Sequence, residues 1–391
     1  MRDDATAFTD LAFLESTYRI RDACQAKTSE NLSFISHWDP DAFVADEIIR
    51  SLEINTDTLS PQAKYIYPRQ LVQMEEFVSA LGFDARKKSV LVTPCGTSSM
   101  NCIISFLKMA GIKKIFFIQP NYFSAYEVSR LYGIESIKIH VPQGQKLSDV
   151  FSVANHCLQT TGIWLTHPTY CTSSTLSAED EKWLVELMNN GAHVIADECL
   201  ALPGGELGRK IGGHDRFFGY YSPHKAFSLN DFKFSAVVFN KTLHLPFYRI
   251  ADLHYGSLPP SCVSAFMHYM SDNFTAVSHC ASNCRDRGRA RLLSVIHEFP
   301  ECTLHDANRD GVFQTISIKK LPSKLNADLL FIEALALDTA LIILSGIWGG
   351  FDASFGFCFR VNLYKVNEES SRRLEHALEW LSAPLRQGDI R

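Results

Sequence analysis

The stretch SVLVTPCGTSSMNCIISFLKMAGIKKIFFI, residues 89–118, decides how the chain is read. Ser89–Thr93 is an apolar run of strand length. Ser98–Ala110 carries apolar residues at helical spacing and stops at Gly111, and Lys114–Ile118 is a second apolar run. Strand, helix, strand in one short stretch is the unit of a parallel sheet, because parallel neighbours need a crossover between them.

The alternation continues downstream. Tyr122–Tyr132 reads as a helix closed by Gly133, Ser136–His140 as a strand and Ser148–Gln159 as a helix. Gly162–Thr166 follows as a strand, and Ala178–Asn190 as a helix ended by Gly191. His193–Ala196, Phe217–Tyr221 and Ala236–Phe239 complete about seven strands. The expected fold class is α/β, a mostly parallel seven-stranded sheet flanked by helices. Past Asn273 the pattern changes. Strands over 312–318, 340–344 and 355–363, with helices over 326–337 and 368–381, predict a smaller α+β unit. The polar N-terminal segment, with a turn at Trp38-Asp39-Pro40, is expected to wrap onto it. The expected division is 1–60, 61–272 and 273–391.

Composition narrows the function. At 391 residues the chain is long enough for more than one domain, and 46% hydrophobic against 21% charged residues excludes disorder. A net charge of −5 leaves no nucleic-acid footprint. The longest apolar stretch, Ala334–Phe351, is broken by Asp338, Ser345 and glycines, so no membrane span is expected. Met1-Arg2-Asp3-Asp4-Ala5 shows no export signal, which points to a cytoplasmic location with its 11 cysteines reduced. No C-x-x-C pair occurs. His279-Cys280 with Cys284 is the nearest approach to a ligand cluster and reads as surface or core, so no metal is expected.

Parallel sheets bind ligands beyond the carboxyl ends of their strands, so the chemistry should follow each strand. After the first comes Thr93-Pro94-Cys95-Gly96-Thr97-Ser98-Ser99, a glycine and hydroxyls opening a helix; it suits an anion, and alone it equally suits a cap. After the second comes Gln119-Pro120-Asn121-Tyr122, where the aromatic either stacks on a flat ligand or packs in the core. Thr166–Ser173 is a loop dense in hydrogen-bonding groups. The strand His193–Ala196 ends in Asp197 and Glu198, one of which should face a ligand or cap a helix. Ser222-Pro223-His224-Lys225 comes last, with Lys233 eight positions on; a lysine here is an amine nucleophile or a snorkelling surface residue. In this order the features are those needed to hold pyridoxal 5'-phosphate. They supply a helix N-terminus for the phosphate, a face for the ring, a carboxylate for the pyridine nitrogen and a lysine for the aldehyde.

On these residues the chain resembles the fold-type I pyridoxal-phosphate enzymes, specifically the class I/II aminotransferase family, over roughly residues 30–385. The resemblance implies that Lys225 is the Schiff-base lysine, Asp197 the pyridinium partner and Tyr122 the stacking ring. Gly96, Thr97, Ser98 and Ser222 match the phosphate cup. Ser345-Gly346-Ile347-Trp348 and Gly356–Leu363 resemble the segment whose arginine, here Arg360, grips the substrate carboxylate with a bidentate fork. Tyr65 or Tyr67 would be the tyrosine that reaches a neighbouring subunit's phosphate, and a homodimer is implied.

Three departures stand out. The family's Asn-Pro-Thr-Gly loop is replaced by Tyr170-Cys171-Thr172-Ser173, putting Tyr170 at the ring oxygen. A tyrosine three residues after the aspartate is Leu200, whose missing hydroxyl Tyr170 would supply. The phosphate-binding arginine is Lys233, which keeps the charge but loses the fork.

The expected function is amino-acid transamination in specialised metabolism, with Lys225 as base at Cα and an amino acid as its small-molecule substrate. Elimination, replacement or cyclisation on the same cofactor stays open, as does an inactive or regulatory relative. A serine acyl-enzyme reading rests on Ser222-x-x-Lys225 and Ser271-Asp272-Asn273. It lacks a K-T-G downstream.

Overall fold

The computed structural model describes residues 9–28, 31–51, 66–71, 74–142, 144–151, 157–201, 206–227, 229–230, 232–270, 273–305 and 311–387. Twelve strands are defined among them. They are β1 Ser33–Phe34, β2 Lys88–Thr93, β3 Lys114–Gln119, β4 Glu135–His140, β5 Thr161–Thr166 and β6 His193–Asp197. Then follow β7 Phe217–Tyr221, β8 Ser235–Asn240, β9 Cys302–His305, β10 Phe313–Ile318, β11 Leu341–Ile342 and β12 Phe357–Asn362.

Seven of these form one sheet in the order β2-β8-β7-β6-β5-β3-β4. All pairings are parallel except those of β8, which runs antiparallel to β2 and β7. The strands read as continuous apolar runs because both faces are covered. Val90 and Val92 of β2 pack on one face with Leu184 and Phe266, while Leu91 packs on the other with Ile103, Leu107 and Phe247. Strand order reverses beside β3, whose neighbours are β4 and β5, so the crevice at their carboxyl ends is a switch point of the kind that takes ligands.

The second unit is the antiparallel sheet β12-β10-β9, with β1 pairing in parallel with β11. The helix Thr9–Lys27 packs on Leu329–Thr339, and Ala42–Ser51 packs on the long helix Asn273–His297. Both ends of the chain thus build the smaller unit. Its core takes in Tyr170, Cys171 and Phe227 from the loops after β5 and β7, so the cleft between the sheets is walled by both.

Several expected boundaries moved. The helix expected over 148–159 is a single turn, Leu147–Val150, with Asp180 Oδ1 accepting from the Leu147 N–H; residues 152–156 fall outside the described residues. The helix expected from Asn326 begins at Leu329, because the Asp328 carboxylate accepts from the N–H groups of Leu330 and Phe331 and caps it there. The strand expected over 340–344 shrinks to Leu341–Ile342, since Ala340 takes φ 54° to leave the helix. β1 and β9 are too short for alternation to reveal. No helix among the described residues is long and apolar enough to cross a membrane.

Candidate active site

Lys225 lies in the short helix Pro223–Ala226 just after β7. Two contacts hold that turn. The Tyr364 hydroxyl donates to the Ala226 carbonyl at 2.6 Å, and His224 Nδ1–H donates to the Phe234 carbonyl at 2.8 Å. Burial, with the Lys225 charge beside it, pushes His224 down to about 3, so it stays neutral and keeps that donor. The Lys225 side chain enters the cleft, with Nζ 5.2 Å from the Trp38 ring centroid and 5.4 Å from that of Tyr122. Burial pulls its ammonium down, but Cys199, Tyr122, Asp197 and Cys95 around it outweigh that and leave it raised.

Asp197 and Glu198 follow each other at the end of β6, and strand parity sends them to opposite faces. Asp197 is buried, accepts from the Cys199 N–H at 3.0 Å and shares the Lys225 pocket. Glu198 faces away. It accepts from the Tyr221 hydroxyl at 2.8 Å and from the N–H groups of Leu207 and Gly208 at 3.0 and 3.1 Å. His167 Nδ1 stands 3.5 Å from the same carboxylate. One acid therefore serves the cleft and the other caps the helix Glu206–Ile211.

The helix Gly96–Met109 opens onto Lys225. Its first residue is close-packed against the site: a Cβ on Gly96 would sit 3.0 Å from Ser222 Oγ, 3.5 Å from Cys199 Sγ and 3.6 Å from Lys225 Nζ. Its N-cap, Cys95, makes no side-chain cap hydrogen bond, and the first N–H groups of a helix favour an anion. Ser222 Oγ lies 2.5 Å from Ser235 Oγ and 3.0 Å from Cys199 Sγ. Thr97 and Lys233 are exposed at the mouth, and Ser98 Oγ is 3.5 Å from Cys95 Sγ. Burial alone would raise the Cys95 thiol. Hydrogen bonds from Ser98 and Thr97, with the Lys233 charge, bring it below its ordinary value instead.

Arg360 of β12 is the other pole. It is 2% exposed, yet no carboxylate pairs with it among the described residues. Nε donates to the Ser36 carbonyl and Nη1 to the Tyr170 hydroxyl, each at 2.8 Å, while Nη2 has no hydrogen-bond partner among the described residues. Four rings enclose the guanidinium, with centroids 4.0 Å (Trp348), 4.5 Å (Phe313), 4.6 Å (Trp38) and 5.9 Å (Tyr170) from Cζ. A buried cation with one bare nitrogen is a built site for an anionic group.

Lys225, Asp197, Gly96, Ser222, Tyr122 and Arg360 therefore converge on one cleft. Tyr170 also reaches it, but its hydroxyl is engaged by Arg360, at the pole away from the helix start. Tyr65 lies outside the described residues, and Tyr67 is covered by Arg69, whose Cζ is 5.2 Å from its ring. Ser271 and Asp272 also fall outside. Sequence reading missed Trp38, Phe313 and Ser36. Trp38 reads as a turn residue, and nothing in its neighbours' spacing marks a residue that meets its site only through the fold.

Away from the cleft, Cys280, Cys284 and Glu47 bring ligand atoms within 4.8 Å of one another. The Arg287 guanidinium already sits there, 2.6 Å from Glu47 Oε2 and 3.2 Å from Cys284 Sγ.

No family model and no curated protein matches the chain in sequence. Solved structures match it in fold. Thermus thermophilus aspartate aminotransferase with maleate superposes with a TM-score of 0.68 at 15% identity, covering 94% of this chain and 96% of that one. Thermotoga maritima aspartate aminotransferase gives 0.73 at 13% identity, over 94% and 97% of the two chains. An Escherichia coli protein described as having a methionine aminotransferase function gives 0.69 at 13% identity, over 93% and 96%. The chain has the aminotransferase fold, fold type I of the pyridoxal-phosphate enzymes.

Proposed function

We propose that this chain is a pyridoxal-phosphate-dependent aminotransferase acting on an amino acid, working as a cytoplasmic homodimer in specialised amino-acid metabolism. The observation that carries the reading is the Lys225 amine set beside Asp197 and the Gly96 helix start, in a cleft whose far pole is an arginine with no carboxylate partner among the described residues.

The residues fit the cofactor. Gly96, Thr97, Ser98, Ser222 and Lys233 would hold the phosphate, Tyr122 would cover the ring, Asp197 would face the pyridine nitrogen and Lys225 the aldehyde. Bound there, pyridoxal phosphate supplies the electron sink that makes a Cα proton acidic.

The rest belongs to the protein. Lys225 Nζ takes the Cα proton and returns it, as general base and then acid. Asp197 holds a cationic N–H opposite its carboxylate and keeps that proton from leaving. Arg360 Nη2, with the second hydrogen of Nη1, binds the substrate carboxylate. The rings around it exclude water and strengthen that charge pair.

The test is a visible spectrum of protein incubated with pyridoxal phosphate, wild type and Lys225→Ala, before and after a panel of amino acids. A lysine-dependent band that amino acids convert to the amine form of the cofactor supports transamination. Ammonia release without that conversion moves the reading to elimination, and no band at all overturns it.

A further inference from the structure

We propose that Trp38 reads the substrate side chain, and that the substrate is an amino acid whose side chain is uncharged and apolar. This rests on the aminotransferase reading above and narrows it.

Trp38 belongs to the irregular segment between β1 and the helix Ala42–Ser51. Its backbone is pinned to β12, because the Asn362 side-chain amide donates to the carbonyls of His37 at 2.8 Å, Asp39 at 3.3 Å and Trp38 at 3.4 Å. From there the indole reaches both poles of the cleft. Its centroid is 5.2 Å from Lys225 Nζ and 4.6 Å from Arg360 Cζ. An amino acid that gives its carboxylate to Arg360 and its amino end to the Lys225 side must lie along this ring.

The neighbouring walls are aromatic as well. The Trp38 centroid is 5.0 Å from Phe313, 6.2 Å from Tyr122 and 6.3 Å from both Tyr170 and Trp348. Among the described residues, Lys225 and Arg360 are the only cations over these five rings. Arg360 is committed to the α-carboxylate and Lys225 to the proton transfer. Asp39, next to Trp38, is turned to His37 at 2.7 Å and brings no acid into the box.

A side-chain carboxylate would therefore lose its water against rings with no cation left for it among the described residues of this chain. A cationic side chain would meet two like charges. An apolar side chain gains ring contact and leaves nothing unpaired. The aspartate aminotransferases that share the fold are described as acting on an acidic amino acid, so the walls of this cleft argue for a different substrate on the same scaffold.

The experiment follows the visible band of the holoprotein by stopped flow as phenylalanine, leucine, methionine, aspartate, glutamate or lysine is added. The expected result is an apparent second-order rate about tenfold or more higher for the three apolar amino acids than for the three charged ones. Trp38→Ala is expected to lower that apolar-to-acidic ratio about tenfold. Trp38→Phe, which keeps an aromatic wall, should change the ratio less while favouring bulkier side chains. The ratio separates a reading role from a fold defect, which would slow all substrates alike.

Aspartate or glutamate reacting as fast as leucine overturns this inference alone. So does an unchanged ratio in both Trp38 variants. A missing band, or a band that no amino acid moves, overturns the aminotransferase reading and this inference with it.

Discussion

The Tyr170 hydroxyl accepts a 2.8 Å hydrogen bond from Arg360 Nη1. Through that bond the loop after β5 and the strand that carries the arginine meet at one phenol, buried among Trp38, Tyr122 and Trp348. Burial raises the phenol well above its ordinary range despite the arginine, so it stays neutral and keeps an acceptor lone pair for Nη1.

Tyr170→Phe leaves a buried guanidinium nitrogen one acceptor short. The expected cost is about 1–3 kcal/mol in stability, read by urea unfolding of the cofactor-free protein. A carboxylate ligand that supplies the missing acceptor should recover part of the loss. An unchanged unfolding midpoint would show that the bond is not formed in solution.

Asp197→Asn keeps the shape of the pocket but removes its charge. The variant is expected to bind pyridoxal phosphate and show the lysine-dependent band, while turnover falls by at least about 100-fold. Retained turnover would mean that another group carries the role given to Asp197.

Cys95 has its thiol held below the ordinary value by Ser98, Thr97 and Lys233 against the effect of burial, whereas burial raises the thiols of Cys171 and Cys199. Iodoacetamide at pH 7 is expected to alkylate Cys95 and spare the other two in the folded protein, as peptide mass spectrometry would show. Pyridoxal phosphate should slow labelling at Cys95 and leave exposed Cys157 unaffected. Equal labelling with and without the cofactor would place the phosphate elsewhere.

Lys88 donates to the His214 carbonyl at 2.6 Å, and burial lowers it from 10.5 to about 8. Below pH 8 the folded protein carries the cost of that buried charge. Between pH 8 and 10.5 the unfolded chain keeps the proton that the folded one has released, so this contribution to stability rises with pH. Lys88→Met removes it. The variant's stability relative to wild type should therefore be higher at pH 7 than at pH 10, by about 2–3 kcal/mol. Parallel pH curves for the two proteins would contradict the assignment.

The seven-stranded sheet was legible because its signals are local. Each strand is a short apolar run, and three of the intervening helices stop at glycines that take positive φ, Gly111, Gly133 and Gly191. Asp197, Tyr122, Gly96 and Lys225 were legible because each ends or follows a strand, where a parallel sheet delivers residues to one edge. The small unit was harder. Its β1 and β9 are too short to show a period, and the helix after Asp328 is set by a cap rather than by its apolar pattern.

What the sequence by itself determined is the order of parts: a helix start for an anion, a ring, an acid and an amine, each placed by the repeat of strand and helix. Only the tertiary structure decided which neighbours share the cleft. It turned Asp197 inward and Glu198 outward, set the Tyr170 hydroxyl on Arg360, and carried Trp38 from the N-terminal segment to a point between both cations. The reason is physical. Strand periodicity is written in adjacent residues, whereas the packing of a buried guanidinium against rings from four separate segments depends on how the two sheets close over one another.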